Sequence, residues 1–265
     1  MSTPATLTTQ RLSLGYRDRA VVHDLDLTVP PGSFTVLIGP NGCGKSTVLK
    51  GLARVIRPLS GRVLLDGRPL DDWPTRAVAR RMAILPQRPA VPDGITILDL
   101  VRRGRHPHRG AFARWSPQDE QHVTAALGAT ALTELADRSV GAVSGGQLQR
   151  AFIAMVLAQD TPLMLLDEPT TFLDIAHQLE LLELCRRLNL ETGRTLVVVL
   201  HDLDQAARYA THLVALDRGR VVAQGSPAEV LTAANVRATF GIEALIVPDP
   251  ITGTPMVVPD TRGRR

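Results

Sequence analysis

The stretch Gly39-Pro40-Asn41-Gly42-Cys43-Gly44-Lys45-Ser46-Thr47 decides the fold of this chain. It matches the phosphate-binding pattern G-x-x-x-x-G-K-[ST]. The short apolar run 34–38 before it is typical of a buried parallel strand, and residues 46–53 after it can continue as a helix. The glycines therefore lie at a strand-to-helix turn, and we predict an α/β core that binds a nucleotide.

Each residue type in this loop suits a phosphate chain. Gly39, Gly42 and Gly44 lack a Cβ, so their backbone N–H groups can curl around an anion. The helix that begins near Lys45 points the positive end of its dipole at the same anion, and the lysine adds a flexible charge for the β- and γ-phosphates. Ser46 offers a hydroxyl to Mg²⁺. We therefore expect the whole loop, 39–47, to hold ATP with Mg²⁺.

Composition limits the possible classes of protein. A chain of 265 residues is one large domain or two small ones, with enough material for a core. No apolar run approaches the ~18 to 20 residues of a membrane span, and the N-terminus lacks a secretion-signal pattern, so we expect a cytoplasmic protein. The net charge of +4 comes with only 3% aromatic residues, which does not favour nucleic-acid binding.

The two cysteines do not form a disulfide framework. Cys43 lies in the phosphate loop at a variable position. It is either a redox switch, because a helix N-terminus lowers a thiol pKa, or a small residue that fits the loop, and the second interpretation is preferred.

The segments on either side of the loop differ in character. Alternating polarity over 7–14 and 21–29 predicts an antiparallel hairpin with Tyr16 near its tip, where the ring either stacks on a purine or packs on the protein. From 88 to about 143 proline-broken helical patterns predict a helical insertion. A possible hairpin surrounds 249–253, and the last residues, 262–265, are expected to be mobile. Strands are also predicted at 61–67, 82–85, 163–166, 195–200 and 212–224 (a pair), and helices at 76–81, 97–103, 117–127, 151–158, 175–191, 226–232 and 233–240.

The insertion carries an arginine-rich segment, 102–109. From the residues alone a solvated charged loop is favoured over a docking surface for an acidic partner or a membrane-embedded subunit. His106 and His108 are a weak metal signal, because no cysteine or acid accompanies them at ligand spacing.

A second anion site is predicted at Ser144, Gly145, Gly146 and Gln147. The serine and glutamine have capping-box spacing, and the two glycines leave helix N–H groups open. One chain rarely needs two triphosphate sites on different elements, so we expect this one to serve the nucleotide of another copy.

Two carboxylates follow the apolar strand at 163–166. Asp167 is expected in the Mg²⁺ shell, and Glu168 is expected to polarise the attacking water. His201 follows the strand at 195–200, a position suited to meeting a γ-phosphate.

In this order, the motifs resemble those of ABC-transporter ATPase subunits over roughly 6–241. In that family they look like the Walker A loop, the Q-loop, the signature, the Walker B motif, the D-loop and the switch histidine, here 39–47, Gln87, 143–147, 163–168, Leu173-Asp174 and His201. Val143, where leucine is usual, and Leu148, where a polar residue is common, depart from the pattern.

The resemblance implies the ABC ATPase fold, a P-loop NTPase core with a mostly parallel sheet, an N-terminal antiparallel β subdomain and a helical insertion. It implies one ABC ATPase domain over 1–265, with the core in 1–87 and 160–241, the helical subdomain in 88–159 and a C-terminal tail in 242–265.

The same resemblance implies roles for further residues. Tyr16 looks like the aromatic that stacks on adenine, and Asp174 belongs to the nucleotide-binding set. Gln87 would sense Mg²⁺ and the water, with His201 steadying the γ-phosphate. The expected protein is a homodimeric ATP hydrolase of the ABC-type translocase class, peripheral on the cytoplasmic face of the membrane. It would work with integral-membrane permease subunits and, indirectly, an extracytoplasmic substrate-binding protein, without nucleic acid.

Residues 103–108 and 170–178 resemble those of ferric-siderophore importer ATPases in particular. Haem and cobalamin importers belong to the same broad group, and an exporter or a soluble ATPase acting on nucleic acid or ribosomes is a more distant alternative. Because the insertion meets the permease in this family, docking becomes the favoured interpretation of the arginine-rich segment.

Overall fold

The computed structural model describes residues 5–17, 19–91, 93–110, 113–171 and 173–260. The strands are β1 (Leu7–Tyr16), β2 (Arg19–Leu25), β3 (Thr28–Val29), β4 (Phe34–Ile38), β5 (Ser60–Leu65), β6 (Arg68–Pro69), β7 (Met82–Leu85), β8 (Leu163–Asp167), β9 (Thr195–Val199), β10 (His212–Asp217), β11 (Arg220–Gly225), β12 (Ala244–Pro248) and β13 (Pro255–Pro259). The helices are α1 (Lys45–Leu52), α2 (Thr75–Arg81), α3 (Ile97–Arg102), α4 (Pro117–Ala129), α5 (Gly145–Ala158), α6 (Ile175–Thr192), α7 (Leu203–Tyr209), α8 (Pro227–Val230) and α9 (Ala233–Phe240).

A six-stranded sheet forms the centre of the molecule, in the order β11-β10-β4-β9-β8-β7. Neighbouring strands from β10 to β7 are parallel, and only the edge strand β11 pairs antiparallel. This confirms the predicted mostly parallel sheet. Its inner strands are buried on both faces, as expected for strands covered by helices or a second sheet.

The β4 strand shows how the sheet divides the core. Val36 and Ile38 pack in a cluster with α5 and the helices of the insertion. Leu37 points to the opposite face and packs with α1 and the N-terminal strands. Since successive side chains of a strand point to opposite faces, one apolar run of five residues supplies both halves of the core.

The N-terminal strands form a separate antiparallel sheet, in the order β2-β1-β5-β6, with β3 paired to β1. This confirms the predicted antiparallel hairpin and subdomain. Asp18, in the predicted turn, lies outside the described residues. The sheet packs on α1 through the second core cluster, and thereby supports the helix that follows the phosphate loop.

The segment between β7 and β8 is helical, as predicted. It holds α3, α4 and α5 with short 3-10 turns, and its described residues contribute one isolated β-bridge, Thr96 to Ser139, and no strand. None of the helices that the structure describes has the length and apolar character to cross a membrane. The proposed boundaries of the subdomains stay a prediction.

The arginine-rich segment is not the solvated loop that its residues alone favoured. It forms a 3-10 helix, Arg103–His108, in which Arg105 is only 3% exposed. The Arg105 guanidinium donates to Asp119 Oδ1 of α4 at 3.0 Å and to the Ala158 carbonyl of α5 at 2.8 Å. A buried cation satisfied in this way ties three elements of the insertion together.

The C-terminal segment forms the predicted hairpin from β12 and β13. The strands do not extend into solvent as a tail, because β13 packs on α7. Residues 261–265, which include the whole segment expected to be mobile, lie outside the described part.

Candidate active site

Four predicted motifs meet at one edge of the central sheet. The phosphate loop follows β4, and His201 comes shortly after β9. Asp167 is the last residue of β8 and Glu168 comes directly after it, while Gln87 comes shortly after β7. These strands are consecutive neighbours and parallel, so their carboxyl ends lie side by side. Ligands of open α/β sheets bind at such an edge.

The backbone of the phosphate loop requires its glycines. Gly39 has φ 148°, and a Cβ there would lie 2.1 Å from the Leu216 carbonyl oxygen. Gly44, with φ 109°, precedes the first turn of α1. Beside Gly42 a Cβ would meet no described atom within 4 Å, so the loop is open at that point. The N–H groups at the start of α1 are therefore available to an anion, which fits a phosphate chain.

Lys45 lies along the loop that it is expected to serve. It is only 5% exposed, and its Nζ donates to the carbonyl oxygens of Gly39 at 2.7 Å and Pro40 at 3.0 Å. The loop thus holds the ammonium group inside its curve and keeps a positive charge there.

Ser46 and Asp167 form the pair expected to hold Mg²⁺. The serine Oγ donates to Asp167 Oδ1 at 2.8 Å, while Oδ2 is buried and has no partner among the described residues. Burial raises the pKa of Asp167, against the hydrogen bond from Ser46 that lowers it. A buried carboxylate oxygen without a donor, next to a hydroxyl, fits a hard cation that prefers oxygen ligands.

Glu168 lies at the centre of a short side-chain network. Gln87 Nε2 donates to Glu168 Oε2 at 2.6 Å, and His201 Nε2 lies 2.7 Å from Oε1. The backbone at Glu168 has φ 50°, in the left-handed region that non-glycine residues rarely adopt. A cavity of about 150 Å³ joins this carboxylate and His201 to the phosphate loop.

The predicted second anion site has its expected capping box, and it lies outside the cavity formed by the phosphate loop of the same chain. Ser144 Oγ accepts from the Gln147 backbone N–H at 3.2 Å, and Gln147 Oε1 accepts from the Ser144 N–H at 3.0 Å. These residues, with Gly145 and Gly146, begin α5 and do not line the loop cavity. A Cβ on Gly146 would approach Leu173 Cδ2 of the same chain at 3.3 Å.

Two further predicted site residues are not brought to the cavity. Asp174 caps α6, since its Oδ1 accepts from the His177 backbone N–H at 2.9 Å and lies 2.8 Å from His177 Nδ1. Tyr16 is 47% exposed near the tip of the N-terminal hairpin, with Lys50 Nζ 6.0 Å from its ring centroid. Their roles toward a nucleotide stay predictions. Phe172, in the stretch 170–178, lies outside the described residues.

The environment of Cys43 favours the small-residue interpretation. Its side chain is buried, and burial raises the pKa of the thiol more than nearby Lys45 lowers it. The thiolate is the reactive form, so a raised pKa opposes a redox role. His108, in the weak metal pair, instead contacts the Gln159 carbonyl oxygen with Nε2 at 2.7 Å.

Two residues near the site were assigned no role there by the sequence analysis. Val21 of β2 lines the cavity, although its apolar pattern indicated only a strand. Thr171 Oγ1 lies 3.4 Å from Glu168 Oε2. Their position depends on how the subdomain and the turn after β8 fold back on the sheet.

Residues 22–171 match the family model described as ABC transporter. The chain belongs to the ABC transporter family. It is 52% identical over 255 residues to the ferric enterobactin transport ATP-binding protein FepC of Escherichia coli (strain K12), covering 96% of this chain and 94% of that protein. An ABC transporter of proposed metal-chelate type, solved in an inward-facing conformation, superposes with a TM-score of 0.82 at 28% identity over 97% of this chain and 98% of that chain. An ATP-binding cassette solved as a dimer in a post-hydrolysis state with ADP and Pi has a TM-score of 0.75 at 27% identity, over 83% and 98%.

Membership in the ABC transporter family confirms the predicted fold. It also identifies the chain as an ATP-binding protein of a family that couples ATP hydrolysis to transport. In this ABC protein, the phosphate loop, Gln87, Glu168 and His201 meet at the sheet edge described above.

Proposed function

We propose that this chain is the ATP-hydrolysing subunit of an importer for ferric siderophores, an ABC-type translocase. The observation that carries the hydrolytic function is the position of Glu168 between Gln87 and His201, beside the phosphate loop. The siderophore assignment is supported by the transport function named for FepC and by the resemblance of 103–108 and 170–178 to siderophore importers.

The phosphate loop binds the triphosphate of ATP. Backbone N–H groups at the start of α1 and the dipole of that helix face the anion, and Lys45 exchanges its contacts with Gly39 and Pro40 for phosphate oxygens. This exchange replaces two hydrogen bonds to neutral carbonyl oxygens with hydrogen bonds to anionic oxygens, in which donor and acceptor are both charged. Tyr16 offers its exposed ring to the adenine.

Ser46 and Asp167 would hold Mg²⁺, with Gln87 next to them. When bound, this ion neutralises phosphate charge and orients the phosphate oxygens. The unpartnered Oδ2 of Asp167 would then gain a partner, which removes the cost of its burial.

Glu168 polarises the attacking water. Its two oxygens are aimed by the contacts with Gln87 and His201, and the left-handed backbone sets the direction of its side chain. His201 lies on the loop side of this carboxylate and is free to turn toward the γ-phosphate, because its side chain is 46% exposed.

A second copy completes the site. Ser144, Gly145, Gly146 and Gln147 form an exposed helix start that does not reach the cavity of its own chain. In a homodimer arranged head to tail, these residues would close on the γ-phosphate bound by the other chain. Asp174 of their own chain would lie beside them in that closed site. The dimeric cassette similar to this chain supports such an assembly.

The dimer would work at the cytoplasmic face of the membrane, bound to integral-membrane permease subunits. An extracytoplasmic substrate-binding protein would deliver the siderophore to them. Exposed residues of the insertion, Arg103 and His106 among them, would face the permease, whereas the buried Arg105 would not. ATP would bind the closed dimer more tightly than the open one, and this difference in affinity would supply the work of transport.

The substitution Glu168→Gln tests the hydrolytic function. The amide keeps the size and one acceptor oxygen but cannot take a proton, so the variant should bind ATP, hydrolyse it at least ~100-fold more slowly and accumulate as a dimer. Lys45→Ala is the matched control for binding, and it should lose most ATP affinity. Wild-type turnover in Glu168→Gln would contradict the assignment.

Transport by the cell tests the cargo. A strain that lacks this gene should lose uptake of labelled ferric siderophore and regain it with the wild-type gene but not with Glu168→Gln. Unchanged siderophore uptake together with lost haem or cobalamin uptake would replace the proposed cargo by that alternative.

A further inference from the structure

The helix after His201 is short and begins almost at once. Only Asp202 separates the histidine from α7, and the Asp202 side chain caps that helix by accepting from the Gln205 N–H at 2.9 Å. The His201 side chain is nearly half exposed, and among the residues that the structure describes its polar partner is the carboxylate of Glu168. Its position therefore depends on the backbone that α7 holds.

The C-terminal hairpin forms hydrogen bonds with the first and the last turn of α7. At the first turn, Asp204 Oδ1 accepts from the Val257 backbone N–H of β13 at 2.9 Å. At the last turn, Arg208 Nη2 donates to Asp249 Oδ2 at 2.7 Å. A helix of seven residues has little stability of its own, so these contacts fix where it lies.

The turn of the hairpin fixes the orientation of the Asp249 carboxylate. It is 8% exposed, and its Oδ1 accepts the backbone N–H groups of Ile251 at 2.8 Å and Thr252 at 2.9 Å. The backbone hydrogen bond from Thr252, then the Arg208 contact, hold the pKa of Asp249 well below its usual range, so the carboxylate is charged at any working pH. Oδ2 accepts from Arg208.

The opposite side of α7 faces the central core and the helix of the D-loop. Ala206 and Ala207 are buried, and Gln205 Nε2 donates to Gln178 Oε1 of α6 at 3.2 Å. Helix α7 is thus held between the hairpin on one side and the core with α6 on the other. Both sets of contacts help to place the helix that follows His201.

We propose that Arg208 and Asp249 are positioning residues for His201, so that the C-terminal hairpin belongs to the machinery of ATP hydrolysis. The inference rests on the proposed function, in which His201 acts on the γ-phosphate. Loss of the ion pair lets the end of α7 shift, and misplacement of a reacting group by about 1 Å can cost up to ~100-fold in rate.

The test compares Arg208→Ala and Asp249→Ala with Arg237→Ala in the full chain. Arg237 of α9 forms an ion pair with Glu243 that is exposed and involves no residue of α7, which makes it a matched control. Arg208→Ala and Asp249→Ala should each lower kcat of ATP hydrolysis about tenfold while KM for ATP changes less than about twofold. Arg208→Lys, which keeps a charge for Asp249, should recover part of the loss, and the control should hydrolyse like wild type.

A second measurement separates positioning from a general loss of stability. In protein labelled with ¹⁵N-histidine, the ring signals of His201, assigned with His201→Ala, should shift in Arg208→Ala and Asp249→Ala but not in Arg237→Ala. Unchanged His201 signals, or an unchanged kcat in both Arg208→Ala and Asp249→Ala, would overturn the inference even if the melting temperatures of these variants fall.

The variant His201→Ala shows whether a negative result contradicts the positioning role or the proposed function itself. If His201→Ala hydrolyses ATP like wild type, the proposed role of His201 is wrong. If His201→Ala is slow while Arg208→Ala and Asp249→Ala are not, only the positioning role is wrong. Single-turnover hydrolysis measures both, and Arg208→Ala should add no further loss to His201→Ala.

Discussion

Glu168 shows how a single residue can combine an unfavourable backbone with a useful direction. Its φ of 50° costs on the order of 1 kcal/mol for a residue with a Cβ. In return, the carboxylate turns from the end of β8 toward Gln87 and His201 instead of continuing along the strand. Asp167, one residue earlier, keeps strand geometry and points to Ser46, so adjacent carboxylates serve different partners.

Cys43 provides a prediction at the same scale. Because burial raises its thiol pKa, the thiolate fraction at pH 8 is below that of a free cysteine and rises only as the pH passes through the raised pKa. Alkylation of the folded protein by iodoacetamide, followed by mass spectrometry, should therefore be at least ~10-fold slower at Cys43 than after unfolding in guanidinium. Equal rates in the two states would favour the redox switch instead.

Arg105 connects elements of the insertion. Its guanidinium is shared by the 3-10 helix, α4 and α5, and α5 begins at the predicted second anion site. A rigid insertion would move as one body and carry Ser144 with it. The exposed neighbour Arg103 has no such structural contact to the other helices among the described residues.

The ion pair gives a stability prediction with a matched control. Arg105→Ala leaves Asp119 buried without its cation, and the free energy of unfolding should fall by about 3 kcal/mol, measured by denaturant titration. Arg103→Ala, an exposed change next to it, should stay within about 0.5 kcal/mol of wild type. Equal effects of the two substitutions would show that the pair does not stabilise the insertion.

The pH dependence of this effect has a definite sign. Burial would raise the pKa of Asp119, but hydrogen bonds from Ser116 and Arg105 outweigh it and lower the pKa. A lowered folded pKa contributes stability above the unfolded value of about 3.9, and that stability is lost as the pH falls through the folded pKa. The difference between wild type and Arg105→Ala should therefore shrink below about pH 4.

Across the whole molecule, one chain would hold two halves of different nucleotide sites in the proposed dimer. The phosphate loop and Glu168 lie at the sheet edge, and Ser144 begins a helix that does not line the same cavity. If two copies complete each other, a defect in one half can be supplied by the partner.

Mixing two inactive variants tests this arrangement. A dimer of one Lys45→Ala copy and one Ser144→Arg copy has one site with both halves intact and one with both defective. ATP hydrolysis in the mixture should exceed that of either variant alone, measured as phosphate release at equal total protein. If the mixture has only the average activity of its components, each chain hydrolyses ATP with its own residues and the head-to-tail dimer is wrong.

Much of the fold could be predicted because it is encoded locally. The alternation of 7–14, the apolar runs at 34–38 and 195–200 and the capping box at Ser144 each specify an element through nearby residues. The arginine-rich segment was harder, because its charges resemble a solvated loop. Whether an arginine is buried depends on a distant acid such as Asp119, which no local pattern reveals.

The phosphate loop, the order of the motifs and the types of side chain that the chemistry requires can all be read from the amino-acid sequence. The neighbouring positions of β4, β9, β8 and β7 become visible in the folded chain, where they bring Lys45, His201, Glu168 and Gln87 to one edge. The tertiary structure also places the C-terminal hairpin against α7 and the start of α5 away from the loop. The physical reason is that strand order and packing arise from contacts between residues far apart in the chain, whereas turns, caps and strands are set by residues close together.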